Sequence, residues 1–210
     1  MDENLIIEIL ELGSFFVNCY IVGDKESGAG IIIDPADDVD SIAKFVKKNE
    51  LRIEQIVITH GHADHIGALD EAKKLFKAPV SIGEKDAPML TDPALNLSGL
   101  EGTNIISEPA EKILREGDVV SVGQFKFKVL DTPGHTVGSV SLYGHGVVFT
   151  GDALFLGSVG RTDFPGSSHE QLMESIRKKL LTLPDETIVF PGHGPDTSVG
   201  QERDFNPFLE

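Results

Sequence analysis

Short apolar runs rich in β-branched residues recur along the whole chain, at 5–10, 15–22, 29–33, 56–59, 80–82, 125–130, 140–143, 147–150 and 187–190. So many strand-length runs leave little room for any architecture but one built on extensive sheets. Phe125, Phe127 and Val129 alternate with Lys126 and Lys128, the period of a strand with one buried and one wet face. The runs Gly30-Ile31-Ile32-Ile33 and Gly146-Val147-Val148-Phe149 carry no polar alternation and read as strands covered on both faces.

Helical spacing appears at 38–48 (Val39, Ile42, Val46), at 66–77 (Leu69, Ala72, Phe76) and at 168–182 (Leu172, Ile176, Leu180). Ser168 followed by Gln171 has the spacing of a capping box, and Pro184 stops the last helix. Strands interleaved with helices, and Gly and Pro gathered at strand ends, predict an α/β chain with sheets packed between helices and irregular loops along one edge. There is no repeat, no low-complexity segment and no flexible linker, so residues 1–210 read as a single domain.

The chain carries 34 Asp and Glu against 18 Lys and Arg, a net charge of −16, which repels phosphate backbones and anionic membranes. Nucleic acid and membrane partners are therefore not expected. Its single cysteine, Cys19, excludes an intrachain disulfide, and the start Met1-Asp2-Glu3-Asn4 lacks the basic and apolar segments of a signal peptide. The expectation is a cytoplasmic protein, with Cys19 a small buried hydrophobe.

Chemistry concentrates in Thr59-His60-Gly61-His62-Ala63-Asp64-His65, directly after an apolar run and before a helix. Three imidazoles and a carboxylate this close desolvate and repel one another unless a cation holds them. His60 and His62 can point to one side, and Asp64 and His65 toward a second ion. Neither pair completes a catalytic Zn²⁺ site, which takes three protein ligands and a water, so further donors must come from elsewhere. Three runs supply them: 129–135 ends in Gly134-His135, 148–152 in Gly151-Asp152 and 189–193 in Gly192-His193. Glycine before each ligand permits the sharp turn that carries the side chain off the strand end.

This constellation, with Thr150-Gly151-Asp152-Ala153-Leu154-Phe155, Gly160-Arg161-Thr162-Asp163-Phe164 and Pro191-Gly192-His193-Gly194-Pro195, resembles the metallo-β-lactamase-fold hydrolases, and within them the glyoxalase II-like branch. The resemblance implies a four-layer αββα sandwich of two mixed sheets with a binuclear site along one edge. It implies that His60, His62 and His135 hold one metal, that Asp64, His65 and His193 hold the other, and that Asp152 bridges them. Asp64 and Asp152 are the candidate catalytic residues. The cofactors implied are two divalent ions, zinc before iron or manganese, and the substrate a small-molecule thioester. A paired metal site acidifies water toward neutral pH, and a thiolate leaves readily, so thioester hydrolysis suits it.

The β-lactamases of the fold usually place a cysteine in the second site and lack the histidine after the aspartate, which disfavours antibiotic cleavage here. The glutathione-using members usually continue into a helical domain with basic residues for glutathione, whereas a short tail follows His193 here, leaving the thiol carrier open. The rival is the persulfide dioxygenases of the fold, which bind one iron through residues matching His60, His135 and Asp152. Asp34 either orients a ligand imidazole or caps the next helix. Arg161 either pairs with Asp163, the favoured reading, or meets a substrate carboxylate. His145 and His169 read as surface residues outside the site.

Overall fold

The computed structural model describes residues 2–209. Its elements in chain order are β1 (Leu5–Leu12), β2 (Val17–Asp24), β3 (Ala29–Ile33), α1 (Val39–Lys48), β4 (Arg52–Ile58), α2 (Leu69–Phe76), β5 (Val80–Gly83), the one-turn α3 (Ser98–Glu101), β6 (Lys112–Leu114), β7 (Val119–Val122) and β8 (Phe125–Asp131). They continue with β9 (Val140–Gly144), β10 (Val147–Gly151), β11 (Leu154–Phe155), β12 (Ser158–Val159), α4 (His169–Ser175), β13 (Ile188–Pro191), β14 (Thr197–Ser198) and α5 (Val199–Phe205).

Two six-stranded sheets form, in the orders β1-β2-β3-β4-β5-β6 and β14-β13-β10-β9-β8-β7, with β11 and β12 as a separate hairpin. Both are mixed: β3 through β6 run parallel and β10 pairs in parallel with β13, while the other pairings are antiparallel. Three apolar clusters define the layers. Ile42 and Val46 of α1 and Leu69 and Ala72 of α2 pack with Cys19, Ile32, Ile56 and Ile58 on the outer face of the first sheet. Tyr20, Val22, Ile31, Ile33 and Val57 meet Phe127, Val129, Phe149 and Phe190 between the sheets. Leu172 and Ile176 of the α4 segment and Val199 of α5 cover Val148 and Val189 on the far side. The result is the four-layer αββα sandwich. Each fully buried aromatic side chain between the sheets contributes roughly 1.5–3 kcal/mol.

The expected patterns hold where burial is two-sided or alternating: β3 and β10 are buried throughout, and β8 alternates. The 15–22 run starts later than expected, at Val17, because Phe16 takes a left-handed turn (φ 55°). The 66–77 helix starts at Leu69, because a 3-10 turn over Ala63–His65 and its exit occupy the chain first. The 168–182 helix is α up to Ser175 and widens into a π-turn over Ile176–Leu180. Ser168 caps it by accepting from Gln171 N at 3.3 Å. The short strands β6, β7, β11, β12 and β14 and the one-turn α3 are too brief to show a period in sequence, and α5 is too polar.

Topology puts the loops on one edge. β8 and β10 both run antiparallel to β9, and β13 runs parallel to β10, so the C-terminal ends of β8, β10 and β13 share an edge. The C-terminal end of β4 in the first sheet meets them there: Val140 N donates to Thr59 O at 2.9 Å, and Asn18 N to Gly192 O at 2.7 Å. Among the described residues no helix is long and apolar enough to cross a membrane.

Candidate metal centre

All seven predicted side chains meet at this edge. Three groups each have their ligand atoms within 4.8 Å of one another: His60, His62 and His135; His60, His65 and Asp152; and Asp64, His65 and His193. Asp152 lies among members of all three, with Oδ1 3.4 Å from His65 Nε2 and Oδ2 3.6 Å from both His135 Nε2 and His193 Nε2. Asp64 Oδ2 sits 3.4 Å from His193 Nε2 and 3.9 Å from His65 Nε2.

Outer contacts fix which nitrogen of each ring faces inward. Asp34 accepts from Thr59 N at 2.7 Å and from the Thr59 hydroxyl at 2.6 Å. That hydroxyl has spent its proton, so at 3.2 Å it can only accept from His60 Nδ1–H. The ring's bare Nε2 then points into the cluster. His65 Nδ1 donates to Asp34 Oδ2 at 2.9 Å, His135 Nδ1 to the Arg161 carbonyl at 2.8 Å, and His193 Nδ1 to the Phe15 carbonyl at 3.0 Å. Four imidazoles are thereby anchored through Nδ1 with Nε2 inward, the orientation in which a histidine gives its lone pair to a metal. His62 completes the ring through Nδ1, 2.9 Å from His135 Nε2.

The cluster also leaves buried atoms unpaired. His60 Nε2, His65 Nε2 and Asp152 Oδ1 have no hydrogen-bond partner. Each orphaned buried polar atom costs about 1–3 kcal/mol, which cations bound among them would relieve. The donor set of imidazoles and carboxylates fits a divalent metal site.

Electrostatics follow. Burial, reinforced by the charge on His65, drives His60 well below the usual imidazole range. Burial and neighbouring His135 push His62 down to about 3. Burial also opposes the charge on His65, but Asp152 and Asp34 outweigh it and hold His65 well above the usual range. Burial works to raise Asp152, yet adjacent His65 holds it well below the usual carboxylate range. Against the same burial, His193 lowers Asp64 and Asp64 raises His193. The centre thus combines neutral His60 and His62 with the charge pairs His65–Asp152 and His193–Asp64, and protons held there would compete with a cation for the same lone pairs.

The glycines before the ligands act in two ways. Gly134 and Gly151 take positive φ (141° and 49°) and turn the chain as expected, whereas at Gly192 the requirement is space: a Cβ there would stand 2.2 Å from Asp152 Oδ1.

Asp34 orients ligands, and the capping alternative falls: α1 is capped by Asp38, which accepts from Ser41 N. Arg161 does pair with Asp163, Nε and Nη2 donating at 3.0 and 2.9 Å. Its backbone carbonyl, a role outside the sequence pattern, carries its contact with His135. His145 and His169 are exposed, but His145 Nε2 accepts from Lys126 N at 3.1 Å. Cys19 is fully buried in β2, far from any ligand role, and burial pushes its thiol up.

Several positioning residues escaped the sequence reading. Buried Asp86 accepts from Gly61 N at 3.2 Å, Thr136 Oγ1 at 2.6 Å and Gly138 N at 2.7 Å, tying the His60–His62 turn to the His135 loop. Asn18 Nδ2 donates to the carbonyls of Pro191 and Gly194 at 3.0 and 2.8 Å, and Tyr20 to Pro191 O at 2.5 Å, holding the His193 loop. Glu202 and Asn206 grip the β11–β12 hairpin through Gly157 N and Ser158 O at 2.8 and 3.0 Å. Asp86 follows the end of β5 as Asp34 follows β3, so position after a strand end was the available signal.

Above the ligands opens a cleft of about 660 Å³, into which His62, Asp64, His135, Asp152 and His193 all face. A buried ring of metal-type donors at a sheet edge, beneath an open cleft, defines a metal-dependent enzyme. Comparison with known proteins agrees: a family model described as the metallo-beta-lactamase superfamily matches residues 12–193, and the chain belongs to that superfamily as a metal-dependent hydrolase. The chain is 40% identical over 204 residues to the "Probable metallo-hydrolase YqgX" of Bacillus subtilis, covering 95% of each. It is 37% identical over 207 residues to the hydroxyacylglutathione hydrolase GloC of Haemophilus influenzae, covering 97% of each.

Among solved structures, the BLEG-1 B3 metallo-beta-lactamase superposes with a TM-score of 0.93 at 41% identity, over 97% of this chain and 99% of that one. The TTHA1623 protein in a di-iron-bound form gives 0.83 at 36%, over 96% and 100%. ETHE1 from Myxococcus xanthus gives 0.82 at 34%, over 96% and 83%.

Proposed function

We propose that this chain is a thioester hydrolase of glyoxalase II type working with two divalent metal ions. The observation that carries the reading is the set of four imidazoles locked through Nδ1 around unpaired His60 Nε2, His65 Nε2 and Asp152 Oδ1. His60, His62 and His135 would hold one ion and Asp64, His65 and His193 the other, with Asp152 between them. Bound ions of this kind supply Lewis acidity and a water acidic enough to ionise near neutral pH.

The chain's own residues do the rest. Asp34 and Thr59 keep the protons of His60 and His65 on the outer nitrogens. Asp64 and Asp152 face the cleft with depressed pKa values, so at neutral pH both are ionised and offer acceptor oxygens to a water entering it. Attack of that water's oxygen on the acyl carbonyl carbon forms a C–O bond; the C–S bond then breaks with its electron pair on sulfur, and one proton of the water passes to the departing thiolate, giving a carboxylic acid and a thiol. Phe155 and Phe164 give the cleft wall an apolar surface beside these groups.

The likeness to GloC, named a hydroxyacylglutathione hydrolase, across 97% of each chain supports hydroxyacylglutathione thioesters as the first substrates to try. The likeness to a B3 metallo-beta-lactamase adds β-lactams to the panel, and the di-iron neighbour supports iron beside zinc. A one-iron persulfide dioxygenase using His60, His135 and Asp152 gives Asp64, His65 and His193 no work, although their ligand atoms gather as tightly as the others.

The test is chelator-stripped protein reloaded with Zn²⁺ or Fe²⁺ and assayed on S-D-lactoylglutathione, a β-lactam and a persulfide with oxygen uptake. Thioester turnover that vanishes on stripping and returns with metal supports the reading. Oxygen consumption on persulfide with iron alone, and no thioester cleavage, overturns it.

A further inference from the structure

The imidazoles of the centre are not anchored alike. His60 and His65 are tied to buried Asp34, His60 through the Thr59 hydroxyl. His135 is tied to the carbonyl of Arg161, whose side chain is braced by Asp163 and by the Phe164 ring, 4.4 Å from Cζ. His193 instead donates Nδ1–H to the carbonyl of Phe15, on the turn between β1 and β2. Phe16 N closes that turn on Gly13 O at 3.3 Å. The Phe15 side chain is 52% exposed and, among the described residues, packs into none of the three apolar clusters. His193 is also the most open of the five rings, its side chain 28% exposed against 4% for His135. Phe15 and Phe155 line the cleft beside it, the Phe155 ring centre 6.4 Å from that of the imidazole.

We propose that Phe15 is a positioning residue through which the molecule in the cleft tightens the hold of Asp64, His65 and His193 on their metal ion. This rests on the two-ion thioester-hydrolase reading above. One residue carries both parts: its side chain meets the cleft, and its carbonyl fixes the His193 imidazole with Nε2 toward Asp64 and Asp152. An apolar group of the substrate laid on Phe15 buries its exposed ring most fully when the turn sits as it does here, and so favours that turn geometry. The carbonyl then stays on Nδ1, and His193 has less freedom left to lose on gaining a metal bond. Linkage makes the effect reciprocal, since an ion held by His193 must strengthen binding in the cleft by the same factor. The group His60, His62 and His135 takes its anchors from Thr59 and Arg161, away from this turn, and its hold should not depend on Phe15.

The test reads metal release rather than turnover. Zn²⁺-loaded protein is mixed with excess chromophoric chelator, with and without the uncleavable thioether S-hexylglutathione at a concentration that calorimetry shows to be saturating. Two release phases are expected, and the thioether should slow one of them at least about fivefold through Phe15. In Phe15→Ala, which keeps the carbonyl, release without thioether should match the unmodified protein, and the slowing of that phase should disappear; Phe15→Leu should restore it. His193→Ala should remove the sensitive phase. Equal slowing in Phe15→Ala means that the thioether merely blocks the exit, and it overturns the proposal, as does a sensitive phase that survives His193→Ala. Faster release from Phe15→Ala without thioether, or loss of thioether binding by that variant, makes Phe15 a structural or binding residue alone and also overturns it. No binding of S-hexylglutathione by the unmodified protein overturns it together with the substrate assigned above. A single phase slowed through Phe15 upholds the positioning role and overturns the two-ion reading, and the expected release pattern in a protein that cleaves no thioester overturns the reaction alone.

Discussion

The two halves of the centre are built differently. His60, His62, Asp64 and His65 come from one short turn after β4, and buried carboxylates hold that turn: Asp34 through Thr59 and His65, Asp86 through Gly61. His135, Asp152 and His193 come from three separate strand ends, steadied by main-chain carbonyls at Arg161 and Phe15 and by Asn18 and Tyr20 reaching across from the first sheet. The contiguous half depends on a few buried charges. The dispersed half depends on two sheets docking in register.

The sharpest way to break this comparison is at Asp152, where the halves meet. Asp152→Ala should lower kcat/KM by at least about 10²-fold and reduce bound metal, while circular dichroism stays native. Near-normal turnover would mean the halves do not share a bridging carboxylate. Next in size, Asp34→Asn keeps a side chain tolerant of the left-handed backbone at φ 52° but removes the charge. Metal affinity should fall about 10–100-fold in chelator competition, and an unchanged value would show that the turn places His60 and His65 unaided.

Asp86→Ala strips the acceptor shared by Gly61, Thr136 and Gly138, for a loss of roughly 2–3 kcal/mol in denaturant unfolding. If Asp86 served one half alone, the loss would fall below that range. Asn18→Ala frees two carbonyls of the His193 loop and should cost about 1–2 kcal/mol. In a metal titration it should weaken one binding step and spare the other; equal weakening of both would erase the distinction.

The smallest expected effect is a pH trend in the stripped protein. His60 and His62 are held below their unfolded pKa of about 6.5, so the unfolded chain binds protons first as pH falls. Stability should drop between about pH 6.5 and 4, by a few degrees in Tm. The depressed carboxylates Asp64 and Asp152 add their loss only below about pH 4, and the raised His65 and His193 lose theirs only as pH rises above about 6.5. A flat profile from 6.5 to 4 would show that the two histidines are not buried neutral.

The contiguous half was legible because its ligands are neighbours in sequence, and three imidazoles and a carboxylate packed so closely suit little besides a bound cation. Burial on both faces of β3 and β10 was legible for a similar reason, since an unbroken β-branched run satisfies no other pattern. The short strands β11, β12 and β14 stayed hidden, two residues being too few to show a period.

Local chemistry along the chain therefore determined the layer pattern, the strand-end turns at Gly134 and Gly151, and the residue types able to hold a metal. Tertiary structure alone decided that four strand ends converge, that Asp34 orients two histidines while Asp38 caps the helix, and that Asp86 and Asn18 bind the halves together. The reason is physical: a backbone turn and a side chain's polarity are properties of a few adjacent residues. A hydrogen bond such as Asn18 to Gly194 exists only after two sheets have packed, and no local pattern records it.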